Sequence, residues 1–269
     1  MPELPEVETT RRGIAPHAVG QTIKQIIVRQ PKLRWPVPDT IHRLTHATID
    51  QLERRAKYIL LRTPQGTALL HLGMSGSLRV CPAEAVPEKH DHVDIVLTNA
   101  LALRLRDPRR FGAVLYAPVG EPHALLNHLG PEPLSEAFTG DYLYQRAQGR
   151  RVAVKLFIMN APIVVGVGNI YANEALFMAG IDPRRAAGEV SLVEYERLVH
   201  AIRSVLQQAI AQGGTTLRDF VREDGQTGYF QIALQVYGRS GENCVRCGEP
   251  LSHIRQGQRS TWYCPACQR

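Results

Sequence analysis

The 269-residue chain contains no apolar run long enough to cross a bilayer. Its first residues are rich in proline and glutamate, not in the basic and apolar residues of a secretory leader. Both absences predict a cytosolic protein. Cysteine is scarce: only five occur, four of them in the last thirty residues, and a cytosolic chain with one further cysteine disfavours disulfides among them. An acidic, self-solvating composition is excluded by the net charge of +7, which suits a polyanionic partner without identifying one. A dinucleotide fingerprint is missing as well. Gly166-Val-Gly-Asn169 leads into a short helix, but no strand of a βαβ unit precedes it, and its backbone N–H groups suit a phosphate instead. With 44% hydrophobic residues, the chain is long enough for one large or two smaller domains.

What is present begins at Met1-Pro-Glu-Leu-Pro-Glu-Val-Glu8. Removal of Met1 would give Pro2 a secondary amine with an unperturbed pKa of roughly 8 or somewhat higher, so part of it is neutral and nucleophilic near neutral pH. Such an amine can attack an electrophilic carbon, expel a substituent and leave an iminium, with Glu3 as the adjacent proton partner. The same residues also read as a helix start. Pro5 suits the first helical position, Glu6 and Glu8 the positive end of the helix dipole, and Gly13 a stop. A helix pointing its N-terminus at a reaction centre would satisfy both readings.

Between residues 22 and 116 the pattern is that of short strands, at 22–28, 58–61, 68–72, 92–97, 101–105 and 113–116, which predicts a sandwich or barrel. Pro118, Gly120, Pro122, Gly130, Pro131 and Pro133 then mark a linker. Helical periodicity follows, most clearly over 191–212, with Ser191 and Glu194 as a capping box and Gly213-Gly214 as the stop. The expected divisions are 1–117, a linker at 118–134, a helical domain at 135–230 and a terminal module at 235–269.

That module holds Cys244-x2-Cys247 and Cys264-x2-Cys267 across a sixteen-residue spacer, the spacing of a four-thiolate zinc site. A segment this small needs the metal to fold, and the spacer reads as a β-hairpin carrying Arg255 and Arg259. Cys81, next to Pro82, reads as a buried or incidental thiol. Basic residues cluster at Arg104-Leu-Arg-Asp-Pro-Arg-Arg110 and at Arg146, Arg150, Arg151 and Lys155, and favour nucleic acid. If the ligand is a duplex and an amine must reach a sugar carbon, the nucleotide has to be extruded and the gap filled. Phe111 beside Arg109 and Arg110 suits such a wedge, as does Met74; Phe111 equally suits the first core position of the next strand.

The segments Met1–Thr9, Arg54-Arg-Ala-Lys57, His71-Leu-Gly-Met-Ser-Gly-Ser77, Lys89-His-Asp-His92, Asp107-Pro-Arg-Arg-Phe-Gly112, Gly166–Tyr171, Gln235-Val-Tyr-Gly238 and the four cysteines together resemble the bacterial formamidopyrimidine-DNA glycosylases, in order from residue 2 to residue 267. The resemblance implies an α+β protein with an N-terminal β-sandwich and catalytic helix, a helix-two-turns-helix domain and a C-terminal zinc-finger β-hairpin, with DNA in the cleft between. It implies a monomeric base-excision repair enzyme that acts on duplex DNA carrying an oxidised purine or abasic site and holds one structural Zn2+. In that family's terms Pro2 is the nucleophile at C1′ and Glu3 the acid at the ring oxygen. Lys57 joins them as catalytic, gripping phosphate, and β,δ-elimination nicks the strand. Glu6 orients the sugar, while His71, His90, Arg109, Arg150, Lys155, Asn169, Tyr237 and Arg259 contact DNA. Met74, Arg109 and Phe111 fill the vacated stack, Lys155 lies near the lesion, and a loop over about 217–229 closes on the extruded base.

One departure stands out. Asn160 takes a place where the family usually has aspartate, which bears on the elimination steps more than on base removal. Among rivals, the endonuclease VIII group shares the Pro-Glu start but prefers oxidised pyrimidines; Leu4 and the 107–111 wedge favour the purine branch. A DNA-binding protein that has lost its chemistry is the other alternative, opposed by the intact Pro2, Glu3 and Lys57.

Overall fold

Residues 2–213 and 234–269 are described by the computed structural model and fall into two units, one within residues 2–127, the other His128–Ala211 with residues 234–269. The loop expected at 217–229 and Gly214 lie outside the described residues.

The first unit opens with helix α1 (Leu4–Ala18). Pro5 takes its second position, and the helix runs through Gly13, which the sequence suggests as a stop. An internal glycine costs a helix about 1 kcal/mol, and the buried Val7, Ile14 and Ala18 on either side of it pack into the sandwich core. Eight strands follow: β1 (Ile23–Val28), β2 (Gln51–Arg55), β3 (Tyr58–Thr63), β4 (Gly66–His71), β5 (Ser77–Pro82), β6 (Asp91–Leu97), β7 (Leu101–Arg106) and β8 (Ala113–Ala117). They form two antiparallel sheets, ordered β1-β6-β7-β5 and β2-β3-β4-β8. Ile26, Val93, Ile95, Leu103 and Leu105 from one sheet share a core with Ile59, Leu61, Leu70 and Val114 from the other. Alternation along each strand accounts for this. Residues of odd and even parity point to opposite faces, and the apolar parity faces inward.

The outward parity of the first sheet carries charge. The register sets Asp94 beside Arg104 and Arg104 beside Arg79. Arg104 holds Asp94 with two bonds of 2.9 and 2.8 Å, Arg29 joins Asp94 at 2.6 Å, and Arg79 bonds Asp91 at 2.9 Å. Arg104 is therefore buried and paired, which removes it from the basic cluster that the sequence suggests at 104–110.

In the second unit α2 (Gly140–Ala147) is capped by the Thr139 hydroxyl, which accepts the Tyr142 N–H at 3.1 Å. Helices α3 (Val154–Ile158), α4 (Asn169–Ala179) and α5 (Leu192–Ala211) follow. The expected capping box of α5 is present, with the Ser191 N–H donating to Glu194 Oε2 at 2.8 Å and the Glu194 N–H to Ser191 Oγ at 3.4 Å. Strands β9 (Ser252–Gln256) and β10 (Arg259–Tyr263) form the terminal hairpin. Gly257 and Gln258, at φ +49° and +63°, close it as a two-residue turn of the kind that matches strand twist.

Candidate active site and metal centre

Pro2 is buried at the head of α1, and Glu3 and Glu6 are buried behind it. Glu3 is the residue that caps the helix, and its backbone N–H donates to Glu6 Oε2 at 2.8 Å. One carboxylate thus fixes the peptide that carries the other, so the sequence Pro-Glu-x-x-Glu becomes a single rigid group at the helix start.

Lys57 sits in the β2–β3 hairpin. Arg55 pairs with Tyr58, so Ala56 and Lys57 alone make the turn, with Ala56 in the left-handed region at φ +54°. Across the next strand, His71 ends β4 with its ring 4.9 Å from that of Tyr58. The Gly73 N–H donates to His71 Nδ1 at 3.0 Å, so the ring proton is on Nε2. Burial, reinforced by the Lys57 and Arg34 charges, brings the His71 pKa down to about 4. At neutral pH His71 is an uncharged N–H donor beside a cation.

The loops 73–76 and 107–112 are locked together. Gly73 is at φ +66°, and a Cβ there would stand 2.4 Å from the Gly112 nitrogen. Asp107 is fully buried; its Oδ2 accepts the Gly112 N–H at 2.6 Å, and its carbonyl accepts from His92 Nε2 at 2.8 Å and from the Arg110 N–H at 3.2 Å. His90 lies beside His92, and its carbonyl accepts the Asp107 N–H. Arg109 stacks over the Phe111 ring at 5.2 Å. Phe111 is 43% exposed and β8 begins only at Ala113, so it is not the first core residue of that strand. Met74, half-buried, rides on the neighbouring loop.

The four cysteine sulfurs of the second unit lie within 4.8 Å of one another, with Cys244 and Cys267 at 3.9 Å and Cys247 and Cys264 at 3.5 Å. A zinc tetrahedron with Zn–S of about 2.3 Å has S···S edges of roughly 3.8 Å. The Arg246 and Cys267 N–H groups point at Cys244 and Cys264 Sγ, each at 3.4 Å, which suits thiolates. The donor set fits zinc.

Around the hairpin, polar groups of α4 do most of the fastening. Glu174 accepts three backbone N–H groups, from Gln235, Val236 and Tyr237, at 2.9 to 3.0 Å. Asn173 Oδ1 takes the Trp262 N–H at 2.8 Å, and Asn169 Nδ2 donates to the Ser260 carbonyl at 3.1 Å. Tyr237 packs on Trp262 at 4.4 Å. Lys155 is fully buried, and its Nζ donates to the Ser260 carbonyl and to Thr261 Oγ1 at 2.8 and 2.6 Å. A buried ammonium needs acceptors, and β10 supplies them. Arg259, next to Ser260, is exposed, as are Arg150 and Asn160. Glu174 and Asn173 are not singled out in the sequence, because their partners at 235–237 and Trp262 are distant in the chain; an acid inside an apolar helix was the available signal for Glu174.

Residues 1–114 match the family described as "Formamidopyrimidine-DNA glycosylase N-terminal domain", residues 129–221 the "Formamidopyrimidine-DNA glycosylase H2TH domain", and residues 241–269 the "Zinc finger found in FPG and IleRS". The formamidopyrimidine-DNA glycosylases of Xanthomonas euvesicatoria and Alcanivorax borkumensis are 59% and 57% identical, each over the whole of both chains.

The chain belongs to the formamidopyrimidine-DNA glycosylase family. It is thus a DNA glycosylase of base-excision repair with one structural zinc. Solved structures agree. The MutM (Fpg) protein of Thermus thermophilus superposes with a TM-score of 0.89 at 37% identity, covering 99% of this chain and 98% of that one. The Lactococcus lactis Fpg, solved with abasic-site DNA, gives 0.91 at 33% identity and 99% coverage of both chains.

Proposed function

We propose that the chain excises oxidised purines, chiefly 8-oxoguanine opposite cytosine and ring-opened formamidopyrimidines, and then nicks the strand through a covalent intermediate on Pro2. The observation that carries this reading is the buried Pro2-Glu3-x-x-Glu6 group at the head of α1. Related L. lactis structures are named as complexes with abasic-site DNA and with Fapy-dG DNA, which supports the substrate class.

Once Met1 is removed, the Pro2 nitrogen attacks C1′ and the bond from C1′ to the base breaks. Glu3 gives its proton to the ring oxygen, the sugar opens and an iminium remains. Loss of a C2′ proton then expels the 3′-phosphate, and δ-elimination expels the 5′-phosphate. Glu6 orients the sugar. Lys57, as a cation, and His71, as a neutral donor, hold phosphates from the first unit; Asn169, Tyr237, Arg259 and Arg150 do so from the second. Met74, Arg109 and Phe111 fill the gap left by the extruded nucleotide, with His90 beside them. Lys155 lies near the lesion, braced by its bonds to Ser260 and Thr261 of β10. The enzyme works as a monomer on the chromosome in the cytoplasm.

Duplexes carrying 8-oxoguanine opposite cytosine or thymine glycol opposite adenine, cleaved side by side, test the substrate class. Faster cleavage of the 8-oxoguanine duplex, with phosphate at both new ends, is expected. Preference for thymine glycol would instead give the endonuclease VIII reading.

A further inference from the structure

Arg54 stands where two elements that bear site residues meet. Its Nε donates to Glu8 Oε2 of α1 at 3.3 Å, and its Nη1 donates to the Ala56 carbonyl at 3.0 Å, in the turn whose second residue is Lys57. Glu8 is the hub on the helix side. It also accepts from Arg11 at 2.8 and 3.1 Å and from Arg12 at 2.7 Å. Arg11 in turn reaches the Leu52 carbonyl of β2 at 3.1 Å. Helix α1 and strand β2 are therefore joined reciprocally, with an arginine from each reaching the other.

Exposure and conformation add to this. The Arg54 and Glu8 side chains are only 12% and 11% exposed, so solvent and salt screen the pair little. Burial pushes the Glu8 carboxyl up, but Arg11, Arg12 and Arg54 outweigh it and hold it below its ordinary value. Ala56 is held at φ +54°, a region that an L-residue with a side chain avoids, and the bond from Arg54 to its carbonyl fixes it there. Pro2 and Glu3 head α1; Lys57 follows Ala56. We propose that Arg54 is a positioning residue that sets Lys57 relative to the Pro2–Glu3 end of α1, by bonding the helix and the turn at once. The inference rests on the reading of Pro2 and Lys57 given above.

Single-turnover cleavage of an 8-oxoguanine duplex, measured across enzyme concentrations, separates position from binding. Arg54→Gln is expected to lower the saturated rate about 10- to 100-fold, the scale of a displacement near 1 Å, with a far smaller change in the half-saturating concentration. Arg54→Lys keeps a charge against Glu8 but has one nitrogen for two partners, so it recovers the rate only in part. Arg12→Gln is the control. Arg12 is 60% exposed and bonds Glu8 without touching the turn, so its loss leaves the rate unchanged.

A wild-type rate in folded Arg54→Gln overturns the proposal, as does an equal loss in Arg12→Gln. Should Arg54→Gln fail to fold, Arg54→Lys decides: a reduced rate at unchanged melting temperature supports the proposal, and a wild-type rate overturns it. Borohydride trapping of the wild type separates the role of Arg54 from that of Pro2. A Pro2 crosslink with an unimpaired Arg54→Gln overturns this inference alone, whereas cleavage by the wild type with no Pro2 crosslink overturns the nucleophile and this inference together.

Discussion

The Lys57 charge lies close enough to help lower the His71 pKa, yet the two would hold DNA by different physics. Lys57 is a cation, and neutralising a phosphate releases counterions; His71 is an uncharged Nε2–H donor that contributes direction. Lys57→Gln is therefore expected to reduce the slope of log affinity against log salt by about 1, while His71→Gln lowers affinity and leaves the slope alone. Titrations of an abasic-site analogue duplex at several salt concentrations read this directly. The same histidine makes stability depend on pH. Because its folded value of about 4 lies below the ordinary 6.5, the unfolded chain binds the proton first as pH falls. Its contribution is complete above pH 6.5 and is lost between 6.5 and 4, amounting to roughly 3 kcal/mol at most. Urea unfolding across that window should show a decline that His71→Gln lacks.

At the scale of elements, Glu174 shows how one side chain can place a segment. Its carboxylate satisfies three consecutive N–H groups and so fixes Tyr237 against Trp262. Glu174→Gln leaves one acceptor oxygen and puts an N–H2 where an acceptor was needed, which should cost about 1–3 kcal/mol and weaken DNA binding. Thermal melting and duplex titration check the two effects together. In the first unit, Gly112→Ala would place a Cβ 2.7 Å from the His71 carbonyl and 2.9 Å from Asp107 Oδ2. Its expected outcome is a lower melting temperature and slower excision.

These two cases also mark what could be read from sequence. The inner strands were legible because apolar residues alternate along them, and α5 because its stripe and capping box are local. The edge strands β2 and β5 were not. In β2, Glu53, Arg54 and Arg55 occupy a strand where only Leu52 is fully buried, and charge on an edge discourages unwanted pairing while erasing the apolar signal. The proline–glutamate start and the four clustered cysteines were legible through their residue types. Lys155 was legible as a cation but its fastening to β10 was not, because its acceptors lie over a hundred residues away.

For the molecule as a whole, the second unit depends on a metal that the first does not use. A structural zinc contributes on the order of 10 kcal/mol to folding, and the hairpin it holds is tied to α3 and α4 through Lys155, Asn169 and Asn173. Chelation should therefore unfold the finger, shift the emission of Trp262 in a Trp35→Phe background, and abolish duplex binding, while the sandwich keeps its own unfolding transition. The proposed chemistry, however, rests on one nitrogen atom, that of Pro2. Borohydride reduction during reaction with an 8-oxoguanine duplex, followed by mass spectrometry of the linked peptide, locates that atom. The account predicts a single crosslink on a peptide that begins at Pro2; a crosslink on a lysine, or strand cleavage by the protein with no crosslink at Pro2, would contradict it.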